Sequence, residues 1–264
     1  MAITGLNINL TVGSFTVNRL PYAELRLERG AIAGRLRIEL PDPQGQLAGE
    51  LKKDDPVDLF FGYRPGPQQT WQGKITEVKS RRDMVYVTAL SAELAFIKTK
   101  VTECFFQETA RKVVTRLLAL AGATPGRLEG PDEVIPHLIF SGQPIFDCFR
   151  QINDTLTRVY QQDMTAQPYW IGEDGLANWG DFDAPGDIAV FASQDNLVNH
   201  NPRNSEEGEV LGLLFPGLVH SQQFKVVDLR RSQTITKRAI SVIHRLGERD
   251  NLTAVVYGKE RGYG

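Results

Sequence analysis

Several groups of residues have the types and spacings that chemistry requires. Asp181-Phe182-Asp183-Ala184-Pro185-Gly186-Asp187 sets oxygen ligands two apart with Gly at the sixth position, like the opening of a calcium loop. Pro185 stands at the fifth position and Ala192 at the twelfth, where a bidentate carboxylate belongs. The segment therefore reads as an Asp-rich turn, and no metal ligand is assigned. His220-Ser221 and Asp228 are the types of a hydrolase triad. Nothing in their spacing draws them together, and with His200 they fall at loops and strand ends, so no catalytic residue is assigned. His244 continues the alternation of Ile240 and Val242 and reads as a packed strand residue. Cys104, beside Phe105-Phe106, and Cys148, between Phe146 and Phe149, read as buried inert thiols. No Gly-rich phosphate loop, Gly-x-Gly-x-x-Gly, Gly-x-Ser-x-Gly or His-Glu-x-x-His occurs. The expectation is a protein that is not an enzyme and has no cofactor-binding residues and no cofactor.

Trp71, Trp170 and Trp179 would make a sugar-stacking face if exposed and core if buried. A β-rich carbohydrate-binding module is therefore the alternative function. Arg81-Arg82, Arg230-Arg231 and Lys237-Arg238 are short basic pairs with acids nearby, unlike a patch that tracks phosphates. The 264 residues carry 30 Lys and Arg against 32 Asp and Glu, a net charge of −2, so direct nucleic-acid binding is not expected. Two Cys exclude a disulfide scaffold and a four-Cys zinc site. No apolar run reaches the roughly 18 residues of a membrane span. The start MAITGLNINL has no basic segment leading into an apolar one, so it reads as no signal peptide, with folding in a reducing cytoplasm.

The elements that position these residues are mostly strands. Leu6, Ile8, Leu10 and Val12 alternate with polar residues, as do Ala23, Leu25 and Leu27, then Leu36, Ile38 and Leu40, then Val57, Leu59, Phe61 and Tyr63. Trp71 to Val78 and Met84 to Ser91 predict a hairpin about Ser80-Arg81-Arg82-Asp83, and the phase slip between Ile75 and Val78 predicts a bulge. After residue 100 the period changes. Val113, Val114, Leu117, Leu118 and Leu120 predict a helix capped by Thr109 and stopped at Gly122. Ile145, Phe149, Ile152, Leu156 and Val159 predict a second helix, opened at Ser141 or Gln143-Pro144. Residues 123 to 142 read as a connecting loop. Tyr169-Trp170-Ile171 and Leu176 to Trp179 flank Glu173-Asp174-Gly175 as a hairpin. Residues 199 to 209 read as a polar linker, followed by further strands to Tyr257.

The expected fold class is mainly β with an α+β middle segment: two small antiparallel β-barrels linked by a two-helix region. The domain expectation is residues 1–100 for the first barrel, 101–204 for the helical and hairpin region, and 205–264 for the second barrel.

Taken in order, certain local patterns carry a resemblance. Trp71-Gln72-Gly73-Lys74-Ile75 is similar to the W-x-G-x-I strand of phage baseplate hub proteins, with Ala89-Leu90-Ser91 as the A-x-S strand after it. Phe106-Gln107-Glu108-Thr109 and Ser141-Gly142-Gln143-Pro144 precede the two helices as in that family, and Asn196-Leu197-Val198, Pro216-Gly217 and Val242-Ile243-His244 follow in its order. The chain thus resembles the late-control, 43-kDa Mu-like tail proteins and the hub part of type VI secretion spikes. The resemblance implies a structural baseplate hub of a contractile tail in the virion. It implies a homotrimer that adapts a sixfold tail tube to a threefold spike, with tube and spike proteins as partners. The mixed-sign strands Glu24-Leu25-Arg26-Leu27-Glu28 and Arg35-Leu36-Arg37-Ile38-Glu39 are the candidates to face a neighbouring copy.

Overall fold

The computed structural model describes residues 5–17, 20–31, 33–172, 174–248 and 250–258. Numbered along the chain, the first strands are β1 (Leu6–Val12), β2 (Phe15–Val17), β3 (Tyr22–Glu28) and β4 (Arg35–Pro41), then α1 (Gln46–Glu50), β5 (Pro56–Tyr63), β6 (Gln68–Arg81) and β7 (Met84–Leu90). The middle holds α2 (Leu94–Lys98), β8 (Lys100–Thr109), α3 (Ala110–Leu120), β9 (Thr124–Leu128), β10 (Val134–Pro144), α4 (Ile145–Tyr160), β11 (Tyr169–Ile171) and β12 (Leu176–Trp179). The rest is β13 (Ala189–Ala192), β14 (Leu197–Pro202), β15 (Gly208–Leu213), β16 (Gln223–Asp228), β17 (Gln233–Arg238), β18 (Ser241–Gly247) and β19 (Leu252–Tyr257). Strand dominates helix, 51% to 15%, which makes the fold mainly β.

The chain forms two compact units. Among the described residues, one comprises 5–28, 34–92 and 183–258, the other 29–33 and 93–182. In the first unit one curled sheet runs β14-β15-β19-β18-β3-β4-β7-β6-β5-β1-β2. Period-2 alternation builds it. On β3, Ala23, Leu25 and Leu27 are buried, while Tyr22, Glu24, Arg26 and Glu28 turn to the other face. The buried face covers two cores. Leu10, Leu25, Leu36, Ile38, Leu59, Phe61 and Val87 lie in the first; Phe191, Val210, Phe224, Val242 and Val255 lie in the second. Each such side chain contributes about 1.5–3 kcal/mol on burial. The β3–β18 ladder, with Leu25 opposite His244 and Ala23 opposite Leu246, joins the strands over one core to those over the other. A small sheet, β13-β16-β17, closes the second core, with β13 and β16 parallel.

The sequence locates this unit's bulge correctly: the β6–β7 register shifts between Ile75 and Glu77. It misreads residues 199–209, which are not a linker; Asn199 to Pro202 pair with Gly208 to Leu211 as the β14–β15 hairpin. Acidic and Asn-rich character marks the tip of that hairpin, where the Asn204 side chain accepts from the Glu206 and Glu207 amides.

In the second unit α3 and α4 stand where the apolar spacing places them. Thr109 accepts from the Lys112 amide at 3.4 Å, and Gly122 at φ 71° takes the left-handed turn that ends α3. Ile145, Phe149, Ile152 and Leu156 of α4 are buried. Val159 is 63% exposed, because the last turn packs through Tyr160 instead. The expected loop 123–142 is largely strand. β10 pairs with β8 across its length, and β9 tolerates Pro125 at the edge of the sheet β11-β12-β9. The β11–β12 hairpin forms as read, although Glu173 in its turn lies outside the described residues. Stacked Phe149, Tyr169 and Trp179, with ring centroids 4.0 and 5.5 Å apart, fill this unit's core.

Candidate assembly surface

The residues singled out for chemistry are dispersed. Asp181 accepts from Arg29, whereas Asp183 accepts from Arg238 and Gln223. The two leading carboxylates of the loop are thus neutralised by different arginines. Among the described residues no group of three His, Cys, Asp or Glu is placed to hold a metal ion. His220 Nδ1 lies 2.9 Å from Ser221 Oγ, but Asp228 pairs with His200, whose Nδ1 is 3.1 Å from Asp228 Oδ2. His200 Nε2 meets the Tyr257 hydroxyl at 3.0 Å, so the buried Asp228–His200–Tyr257 chain is internal. Burial alone would raise the Asp228 carboxyl; the bonds from His200 and from the Arg231 and Arg230 amides outweigh it and set it below the ordinary value.

His244 is fully buried between Thr253 Oγ1 at 3.0 Å and the Leu218 carbonyl at 2.9 Å. The carbonyl can only accept, so Nε2 carries the proton and Nδ1 accepts from the Thr253 hydroxyl. Burial pushes its pKa down to about 4, which keeps the ring neutral. Cys148 is buried, and burial pushes its thiol up to about 11. Cys104 departs from expectation: it is exposed, on the outer face of the β8–β10 pair with Phe106, 72% exposed, and Ile139, 52% exposed. The aromatic pair misleads there, because Phe105 alone turns to the core. Trp71, Trp170 and Trp179 are 7%, 4% and 0% exposed, which removes the stacking platform a sugar would need.

Opposite its cores, the large sheet shows a face ordered across its strands. On β15, β19 and β18 it is mainly apolar, with Leu211, Leu213, Leu252, Val256 and Ile243 interrupted by Glu209 and Arg245, and Leu213 is 45% exposed. On β3, β4 and β6 it is charged, with both signs on each strand, and between β4 and β6 the β7 strand shows Tyr86, Thr88 and Leu90. Arg245 reaches Glu24 at 3.7 Å, Arg26 holds Glu28 at 3.1 Å and Lys79 holds Glu77 at 2.7 Å. A shallow groove of about 490 Å³ runs here between Tyr22, Glu39, Lys79 and Tyr86. The two strands that the sequence marked for their alternating charges, β3 and β4, are adjacent and antiparallel in this face. Sequence reading missed the apolar half. Its signal is the alternation in β15 and β18 once both faces, and not only the buried one, are read as apolar.

No protein-family model and no curated protein matches the chain. Solved structures do. The 43 kDa tail protein of prophage MuSo2 from Shewanella oneidensis is similar with a TM-score of 0.71 at 8% identity, over 97% of this chain and 99% of that one. A tail protein from Neisseria meningitidis MC58 reaches 0.67 at 10% identity, over 97% of each chain. A component of the Escherichia coli type VI secretion system, itself described as similar in structure to the T4 bacteriophage tail proteins gp27 and gp5, reaches 0.67 at 11% identity over 96% of this chain and 79% of its own. Over 97% of its length, this chain has the fold of the MuSo2 prophage and Neisseria tail proteins.

Proposed function

We propose that the chain is a structural component of a contractile phage tail or a tail-like injection machine, acting as its baseplate hub. The observation that carries the reading is the likeness to the MuSo2 tail protein over nearly the whole of both chains. In this reading the protein assembles as a homotrimer, joins the tail tube to the spike, and adapts sixfold to threefold symmetry. Two cores beneath one sheet are consistent with two barrel-like halves per copy, so that three copies offer six similar surfaces. The protein works by contact, without turnover and without a cofactor, in the virion tail. Among the described residues no helix is long and apolar enough to cross a membrane.

Light scattering across a concentration series, alone and with tail-tube and spike proteins, tests the proposal. A threefold mass and capture of either protein support it. A monomer at every concentration that binds neither would overturn it. Burial of all three tryptophans gives the carbohydrate-binding alternative no support.

A further inference from the structure

On the charged face of the large sheet, Arg26 stands directly opposite Arg35 on the neighbouring strand, and Arg37 follows two residues along β4. Like charges facing each other across a ladder are unfavourable. Arg26 is relieved by Glu28, at 3.1 Å. Among the described residues neither Arg35 nor Arg37 forms an ion pair, and Arg37 is exposed. Burial, then the charges of Arg37 and Arg26, pull the Arg35 guanidinium below the ordinary arginine range. Glu24 faces Arg37 across the ladder, and Glu24 and Glu28 offset part of the charge on Arg35, yet neither arginine closes an ion pair with them.

The same unit carries the complementary feature. The β14–β15 turn and the start of β15 hold Glu206, Glu207 and Glu209 against the single Arg203. Asn204 fixes the turn by accepting from two of its amides at 2.8 Å, so its carboxylates sit on a rigid tip. Lys237 holds Glu206 at 2.6 Å. Glu207 and Glu209 have no ion pair among the described residues, and Glu209 is exposed on the same outer face as the arginines.

We propose that the acidic β14–β15 turn of one copy docks on the Arg35–Arg37 cluster of a second copy, with Glu207 and Glu209 supplying carboxylates that pair with those arginines. Made once per copy, the turn of one on the cluster of the next, the contact is head-to-tail and closes as a cyclic ring. Each arginine can take a carboxylate in a two-pronged bond, which sets register as well as sign. Leu211 and Leu213 follow Glu209 along β15 on the same face and supply the dry part of such a contact. The inference rests on the homotrimer of the proposed function.

The test is a charge swap in the full-length chain, read by sedimentation equilibrium. R35E/R37E and E207R/E209R should each weaken the trimer by at least about tenfold in dissociation constant. The four-fold variant R35E/R37E/E207R/E209R should regain most of that loss. Near-ultraviolet circular dichroism confirms that each variant is folded. If a reversal misfolds, the neutral pairs R35Q/R37Q and E207Q/E209Q replace it and should weaken the trimer in the same direction. Trimers of unchanged strength in both reversed variants overturn the contact and leave the homotrimer standing. So do reversed variants that dissociate and are not rescued by the swap. An R35E/R37E protein that trimerises normally but loses a tail-tube or spike protein assigns the cluster to that partner and overturns the second-copy contact. A wild-type chain that stays monomeric removes the homotrimer and this contact together.

Discussion

Single residues report most directly through their protons and thiols. His244 has a pKa of about 4 in the fold against about 6.5 in an unfolded chain. Its folded value is depressed, so the unfolded chain takes up the proton first as pH falls. The stability contribution is complete above about pH 6.5 and is lost progressively down to about pH 4, where the loss reaches about 3 kcal/mol. Denaturant unfolding of wild type and His244→Gln across that window should show a steep slope in the first and a flatter one in the second. Equal slopes would mean that the ring is solvated. The two cysteines make a second prediction. With Cys104 exposed and Cys148 buried at a raised pKa of about 11, a thiol reagent at pH 8 should modify one thiol per folded chain within minutes and both on unfolding. Mass spectrometry of the labelled peptide should place the fast site at Cys104. Sequence reading gave both cysteines the same apolar setting; only the pairing of β8 with β10 decides which side of the ribbon each neighbour faces.

At the scale of elements, legibility followed periodicity. Strands β3 to β5 are half-buried and alternate strictly, so they announce themselves. Helices α3 and α4 are amphipathic with a cap or a stop beside them and were equally plain. Strand β10 was not, because Pro136 and Gly142 speak for a loop; its long pairing with β8 overrides that local signal. The bulge near Ile75 was readable because a slip in register moves every later side chain to the other face. The motif residue Gly73 now has a reason: a Cβ there would lie 2.3 Å from the Trp71 ring and 2.5 Å from the Leu90 carbonyl. Asn196 has another. Its side chain accepts from the Ala192 amide and donates to the Val190 carbonyl, both at 2.9 Å, which closes the free edge of β13. Asn196→Ala leaves those backbone groups unpaired and should cost about 1–3 kcal/mol of stability, measured by chemical unfolding. Asn196→Asp keeps the bond from Ala192 and should recover part of it.

For the whole molecule, the charged face of the large sheet makes association sensitive to ionic strength. Exposed charges are screened within about 8 Å at physiological salt and about 3 Å at 1 M. The proposed trimer should therefore loosen between 0.05 and 0.5 M NaCl, values chosen as roughly tenfold apart across that screening range. The unfolding midpoint of the monomer should barely move, because exposed ion pairs such as Arg26–Glu28 contribute only about 0–1 kcal/mol within a chain. Sedimentation at the two salts, beside a melting curve of dilute protein, separates these effects; association that tightens with salt would point to the apolar strands as its main source. The ladder between β3 and β18 carries a consequence of another kind, in time. Ala23 finds its partner in Leu246, roughly 220 residues later. At synthesis rates of about 5–20 residues per second, β3 leaves the ribosome some 10–40 seconds before the strand that covers its edge. During that interval the nascent chain offers an unpaired edge lined by Leu25 and Leu27. A nascent chain arrested before Ser241 should thus be the most aggregation-prone stage in the life of this protein, and the one most dependent on chaperones.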